Sequence, residues 1–200
     1  MFYMTPVWTT IFEMIFLKKK HGWQRAVSLG LALGGLWVVF GQGGNIPLPE
    51  NAGDWLALIG GIMFAGGMIR LEVIKTDGVF PIIFGFFFYG TLFNILAGFL
   101  LVDYLGPVPS TDAFVSMTTF LILISVFYFI PTGIVILWAP TQIGAGICSI
   151  LFLSEIIVGA ISSSILTDEP FGWRQITGCS LIVIGGIVAV VLSPKEDVSK

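Results

Sequence analysis

Residues 172–192 read Gly-Trp-Arg-Gln-Ile-Thr-Gly-Cys-Ser-Leu-Ile-Val-Ile-Gly-Gly-Ile-Val-Ala-Val-Val-Leu, with Arg174 the only charged side chain among them. A helix rises about 1.5 Å per residue, so a run of roughly 20 apolar residues matches the ~30 Å hydrocarbon core of a bilayer. The run is too long for a strand and lacks the polar alternation of a membrane barrel. It therefore predicts a transmembrane helix, in which the pair Gly185-Gly186 lets another helix approach closely.

Outward from this stretch the same pattern recurs. Apolar runs cover Met1–Leu17, Trp23–Gly41, Trp55–Ile74, Val79–Val102, Phe114–Trp138, Ile143–Leu166 and Trp173–Leu192, which predicts an all-α, polytopic membrane protein with seven transmembrane helices. Between them lie Lys18–Gly22, the Gly/Pro/Asn-rich Gln42–Asp54, Lys75–Gly78, Tyr104–Asp112, Ala139–Gln142 and Thr167–Gly172, all with loop chemistry. Composition agrees: 56% of residues are hydrophobic and 10% charged, against about 25% charged in a soluble domain. Nine Lys and Arg residues cannot build a nucleic-acid surface. Cys148 and Cys179 sit inside apolar runs and read as small hydrophobes, not as a disulfide or metal ligands. Met1–Leu17 lacks a basic segment before its apolar run and is followed at once by Lys18-Lys19-Lys20, the reverse of a signal peptide.

Cytoplasmic loops are enriched in Lys and Arg, so the first loop, with Lys18, Lys19, Lys20 and Arg25, is placed inside. Seven spans then put the N-terminus outside and the C-terminus in the cytoplasm. Arg70, Lys75, Lys195 and Lys200 also fall inside, while Glu50, Asp54, Asp103, Asp112, Asp168 and Glu169 fall outside, and only Arg174 of the basic residues joins them.

The chain also repeats itself. Leu17-Lys-Lys-Lys-His-Gly-Trp-Gln-Arg-Ala-Val-Ser-Leu-Gly-Leu…Gly34-Gly35 resembles Leu166-Thr-Asp-Glu-Pro-Phe-Gly-Trp-Arg-Gln-Ile-Thr-Gly-Cys-Ser-Leu…Gly185-Gly186, at an offset of about 150 residues. An odd number of helix starts separates the copies, so they run in opposite directions through the bilayer. Inverted repeats of this kind are common in secondary transporters, whose substrate site lies near the midplane between the halves.

Leu166-Thr-Asp-Glu-Pro-Phe-Gly-Trp-Arg-Gln, followed by Gly178 and Gly185-Gly186, resembles the end of the five-helix repeat in the EamA-like branch of the drug/metabolite transporter superfamily. Gly53-Asp54-Trp-Leu-Ala-Leu-Ile-Gly-Gly resembles the start of that family's second repeat. The resemblance implies a ten-helix inverted-repeat transporter fold, of which residues 55–192 are a complete second repeat, residues 1–41 the last two helices of the first, and residues 193–200 a cytoplasmic tail. Three helices of the family pattern have no counterpart, which fits a fragment, a truncated reading frame or a short member.

Candidate substrate-binding residues follow from the cost of polar groups at membrane depth, roughly 2.5–3.5 kcal/mol for an ionised side chain on insertion scales. Glu155 lies in the middle of the sixth run, sharing a helical face with Cys148, Leu151, Gly159 and Ser162, and is expected to face the bundle interior. A substrate or proton role and a hydrogen-bonded structural carboxylate are equally open for it, and an acid there departs from the family's common pattern. Pro131 interrupts the fifth run beside Tyr128 and Thr132, and with Asn94 these are expected to line a cavity. Glu13 shares a face with Pro6, Thr9 and Thr10; its plainer reading is an interfacial acid paired with a nearby lysine. Arg70 and Glu72 read as interfacial anchors and His21 as a solvated loop residue.

No catalytic constellation, metal-spaced cluster or dinucleotide fingerprint is present, so neither an enzyme nor a cofactor is expected. The leading expectation is a transporter in a bacterial inner membrane that moves a small metabolite or amino-acid-like solute by alternating access, in the export direction. Its partners would be that small-molecule solute, the lipid bilayer, and either a second copy in a homodimer or the missing N-terminal helices. The alternative is a non-transporting truncated membrane protein that packs with a partner or is a remnant.

Overall fold

The computed structural model describes residues 2–41, 49–74, 80–100, 110–166 and 171–192, all helices and short connections with no strand among them. A 3-10 turn at Phe2–Met4 leads into α1 (Thr5–Phe16), followed by α2 (Trp23–Phe40), α3 (Ala52–Val73), α4 (Phe80–Leu100), α5 (Thr111–Ile124), α6 (Ile130–Ile143), α7 (Ala145–Leu151), α8 (Ser154–Leu166) and α9 (Trp173–Val191). Six helical stretches are long and apolar enough to cross a membrane: α2, α3, α4, the continuous α5–α6 stretch, α7 with α8, and α9. Helices of this length and composition are compatible with an integral membrane protein. The first expected span is shorter than its run: α1 has 12 residues, about 18 Å of rise. Asp103, Lys75, Asp168, Glu169 and the tail at 193–200 lie outside the described residues.

The chain forms two compact units, Met1–Val73 with Pro140–Lys200, and Ile74–Ala139. In the first, α2 and α9 form the tightest pair. Ser28 Oγ donates to Gly185 O at 2.7 Å, and a Cβ on Gly35 would stand 2.5 Å from Gly178 O. Partners on α9 descend from Gly185 to Gly178 as α2 ascends from Ser28 to Gly35, so the two helices run antiparallel. Close approach is possible because small residues, Ser28, Ala32, Gly35, Gly178 and Gly185, line the seam where the helices meet.

These contacts also come in exchanged pairs. With the repeat offset of 150, Ser28 corresponds to Gly178 (28 + 150), Ala32 to Ile182 (32 + 150) and Gly35 to Gly185 (35 + 150). The approach of Ser28 to Gly185 then becomes that of Gly35 to Gly178, and Ala32 to Gly185 becomes Gly35 to Ile182; all four are close contacts. Beside this pair a core of Ala32, Ile150, Leu153, Ile156, Ile182 and Ala189 joins α7 and α8 to it.

α1 buries a polar face, Thr5, Thr9, Thr10 and Glu13. The three hydroxyls donate to carbonyls a turn back, Phe2 O, Thr5 O and Pro6 O, at 2.6, 2.9 and 2.8 Å. Self-satisfied hydroxyls of this kind can be buried without outside partners.

Two expected boundaries shift. Ala139–Gln142, read as a loop, is helical: Pro140 lies inside α6, which runs on to Ile143 although proline removes a hydrogen-bond donor there. The chain turns instead at Gly144, at φ +83°. The sixth run, read as one helix, breaks at Phe152–Leu153 between α7 and α8. In the second unit Pro131 does not interrupt the fifth helix. A π turn over Ser125–Phe129, closed by Ile130 N–H on Ser125 O, absorbs the missing donor and carries the helix on into α6. No residue of α4 or α5 is buried.

Candidate functional site

The densest polar feature of the first unit is a charged cluster where α1 ends, α2 starts, α3 ends and α7 starts. Glu13 is its hub, only 3% exposed. Glu13 Oε2 lies 3.2 Å from Arg25 Nη2 and 3.3 Å from His21 Nε2, and Oε1 lies 3.6 Å from Lys19 Nζ. Gly146 N–H donates to Oε1 at 3.1 Å. Lys19 bridges onward to Glu72 Oε1 at 2.6 Å, and Ala145 N–H donates to Glu72 Oε2 at 2.8 Å.

Local sequence explains how the cluster assembles. Leu17–Gly22 is not helical, and its side chains alternate: Lys18 and Lys20 are exposed, while Lys19 and His21 turn inward. Lys18 makes the turn at φ +54°. Arg25, 6% exposed, is one turn into α2 and points back at Glu13. Glycine at 146 leaves room for this arrangement, since a Cβ there would push aside the Arg25 guanidinium and the Glu13 carboxylate.

Two carboxylates thus take the first two N–H groups of α7, which have no partner inside the helix and carry its positive end. Arg25 and Lys19 balance Glu13 and Glu72, and each buried charge has its counter-charge, without which burial costs several kcal/mol per ion.

Of the candidates named from the sequence in the first unit, Glu13 is the hub of this cluster, and Glu155 and Ser162 lie away from it. Glu155 is exposed, in the first turn of α8, rather than enclosed by the bundle. The break at Phe152–Leu153 takes it off the face of Cys148, which stays buried on α7. Ser162 is half-buried on α8. Glu13 and Glu155 lie beyond opposite ends of α7, whose 7 residues span about 10 Å. In the second unit Tyr128 is 57% exposed on the π turn and Thr132 is half-buried. Asn94 is exposed, with its amide donating to Gly90 O at 2.8 Å on its own helix.

Lys19, His21, Arg25 and Glu72 were not legible as a site. His21, read as solvated, keeps only 15% of its side chain exposed, and Glu72, read as an anchor, is tied to Lys19 and α7. The clue available in the sequence was two acids, Glu13 and Glu72, each near the end of a run expected on the same side as the basic first loop.

The second unit carries two open apolar grooves. One of about 380 Å³ lies along α4 between Phe84, Phe88 and Leu92, and one of about 320 Å³ along α5 between Phe114, Leu121 and Val126; no charged residue lines either. Among the described residues no group of three His, Cys, Asp or Glu side chains is placed to hold a metal ion. No protein-family model, no curated protein and no solved structure matches this chain.

Proposed function

We propose that the chain is a secondary transporter of the EamA-like type, which exports a small metabolite or amino-acid-like solute by alternating access. The observation that carries this reading is the antiparallel α2–α9 pair, whose contacts exchange under the sequence offset of 150. Two copies of one segment, packed antiparallel with matching register, are what an inverted repeat produces. The broken sixth run, with Glu155 directly after the break, adds a discontinuous helix of the sort that transporters place at their substrate sites. The membrane assigned is a bacterial inner membrane, with the N-terminus outside and the C-terminus inside.

The test is efflux from proteoliposomes preloaded with a panel of labelled amino acids and small metabolites, with and without a pH gradient. Saturable efflux of at least one solute is expected, with Glu155→Gln abolishing its pH dependence at equal protein content. Efflux no faster than from protein-free vesicles for every solute, with folded protein in the membrane, would refute the reading.

The second reading, a non-transporting membrane protein that packs with a partner, is favoured by α4 and α5, which bury no residue. Cross-linking in native membranes separates the two: a partner adduct formed through α4 or α5, together with absent flux, selects it.

A further inference from the structure

Helix α7 is bounded by a break at each end. Gly144, at φ +83° and ψ 150°, precedes it in a conformation that side-chain-bearing residues rarely adopt. After it, Leu153 N–H donates back only to Ile150 O, and Glu155 N–H only to Phe152 O, so α8 is a new helix. Between these hinges, Ala145, Gly146, Cys148, Ser149 and Ile150 are buried against α1, α2, α3 and α9. Most of these side chains are small, so the apolar grip on the first turn is slight. What fixes that turn is a pair of charge-assisted hydrogen bonds, Gly146 N–H on Glu13 and Ala145 N–H on Glu72, whose carboxylates are held in place by Arg25 and Lys19.

We propose that Glu13 and Glu72 form a latch that holds α7 shut as a movable gate. With both carboxylates seated, the Cys148 face is closed off; when the latch is released, α7 turns about Gly144 and Phe152–Leu153 and opens a path past Cys148. The latch suits a gate because α7 carries no charge of its own and its first turn is held by two amide hydrogen bonds. Neutralising either carboxylate weakens its hydrogen bond to the α7 amide and so loosens the latch. That the gate serves transport rests on the function proposed above; the latch itself does not.

The experiment reads the thiol of Cys148 in the full-length protein in membranes, with Cys179→Ala making it the sole cysteine. Small thiol reagents are expected to modify Cys148 slowly in this background, and at least about tenfold faster after Glu13→Gln or Glu72→Gln, the factor commonly attached to a charge-assisted hydrogen bond. The double variant Glu13→Gln/Arg25→Gln is expected to keep the fast rate, because the carboxylate on Gly146 N–H is still missing; a return to the slow rate would show that the uncompensated Arg25, and not the lost latch, drove the change, and would overturn the proposal. Equal rates in background, Glu13→Gln and Glu72→Gln, at equal membrane abundance, would overturn the proposal. Should those variants fail to insert, hydrogen exchange in the unmodified protein decides: α7 amides exchanging about tenfold or more faster than those of α9 support the gate, and equal protection overturns it. Cys148 responding without any solute flux would leave the latch standing and remove the transporter reading; flux without a Cys148 response would do the reverse.

Discussion

Gly35→Ala is the most informative single perturbation, because its neighbour Gly34 supplies the control. A Cβ on Gly35 would stand 2.5 Å from Gly178 O, 2.8 Å from Ile182 Cγ1 and 3.0 Å from Ile182 N. Two of these are backbone atoms, which cannot rotate away. Ordinary contact begins at 3.4 Å, so α2 and α9 must separate by about 0.9 Å (3.4 − 2.5) at this point. Overpacking of that kind typically costs about 1–3 kcal/mol. The separation also lengthens the Ser28–Gly185 hydrogen bond two turns away. A Cβ on Gly34 meets nothing within 4 Å, so Gly34→Ala gains up to about 1 kcal/mol of helix propensity without a clash. The assay is the apparent melting temperature in detergent, followed by the loss of the monodisperse peak in size-exclusion chromatography. Gly35→Ala is expected to melt several degrees below wild type and Gly34→Ala at or above it. If Gly35→Ala matches or exceeds Gly34→Ala, the α2–α9 contact is not where the structure places it.

Ser28→Ala removes the hydroxyl that bonds Gly185 O and is expected to cost about 0.6 kcal/mol, the average for interhelical hydrogen bonds in membranes, read as a small drop in the same melt. Gly144→Ala forces a side chain into a glycine conformation and is expected to cost about 1–3 kcal/mol in that assay; an unchanged melt would mean the chain does not turn there. For orientation, single cysteines at Lys20 and Glu50 in a Cys148→Ala/Cys179→Ala background are expected to react with an impermeant reagent from the cytoplasmic and outer sides respectively, and the opposite pattern would invert the topology.

Much of the scaffold was legible because hydropathy is a local property. The starts of α2 and α9 at Trp23 and Trp173 coincide with the ends of the Lys18–Gly22 and Thr167–Gly172 loops, where charge, glycine and the onset of an apolar run coincide. Pro140 misled because a proline reads as a stop, yet here it is fully buried within a helix that continues to Ile143. The break at Phe152–Leu153 left no mark, since Phe152 and Leu153 are as apolar as their surroundings. Glu155 was expected inside because a lone acid at membrane depth is costly; the break turns it outward into the first turn of α8, where a helix N-terminus favours negative charge.

What the sequence determined by itself was the class of solvent the chain meets and the order of its helices. Each follows from the transfer energy of a stretch of consecutive residues, whatever the rest of the chain does. Only the tertiary structure decided which charges are compensated. Glu13 meets Arg25 across 12 positions and Gly146 across 133, and Glu72 meets Ala145 across 73. A buried charge is tolerable only when a counter-charge or donor from another helix arrives within a few ångströms, and that distance is set by how the helices pack.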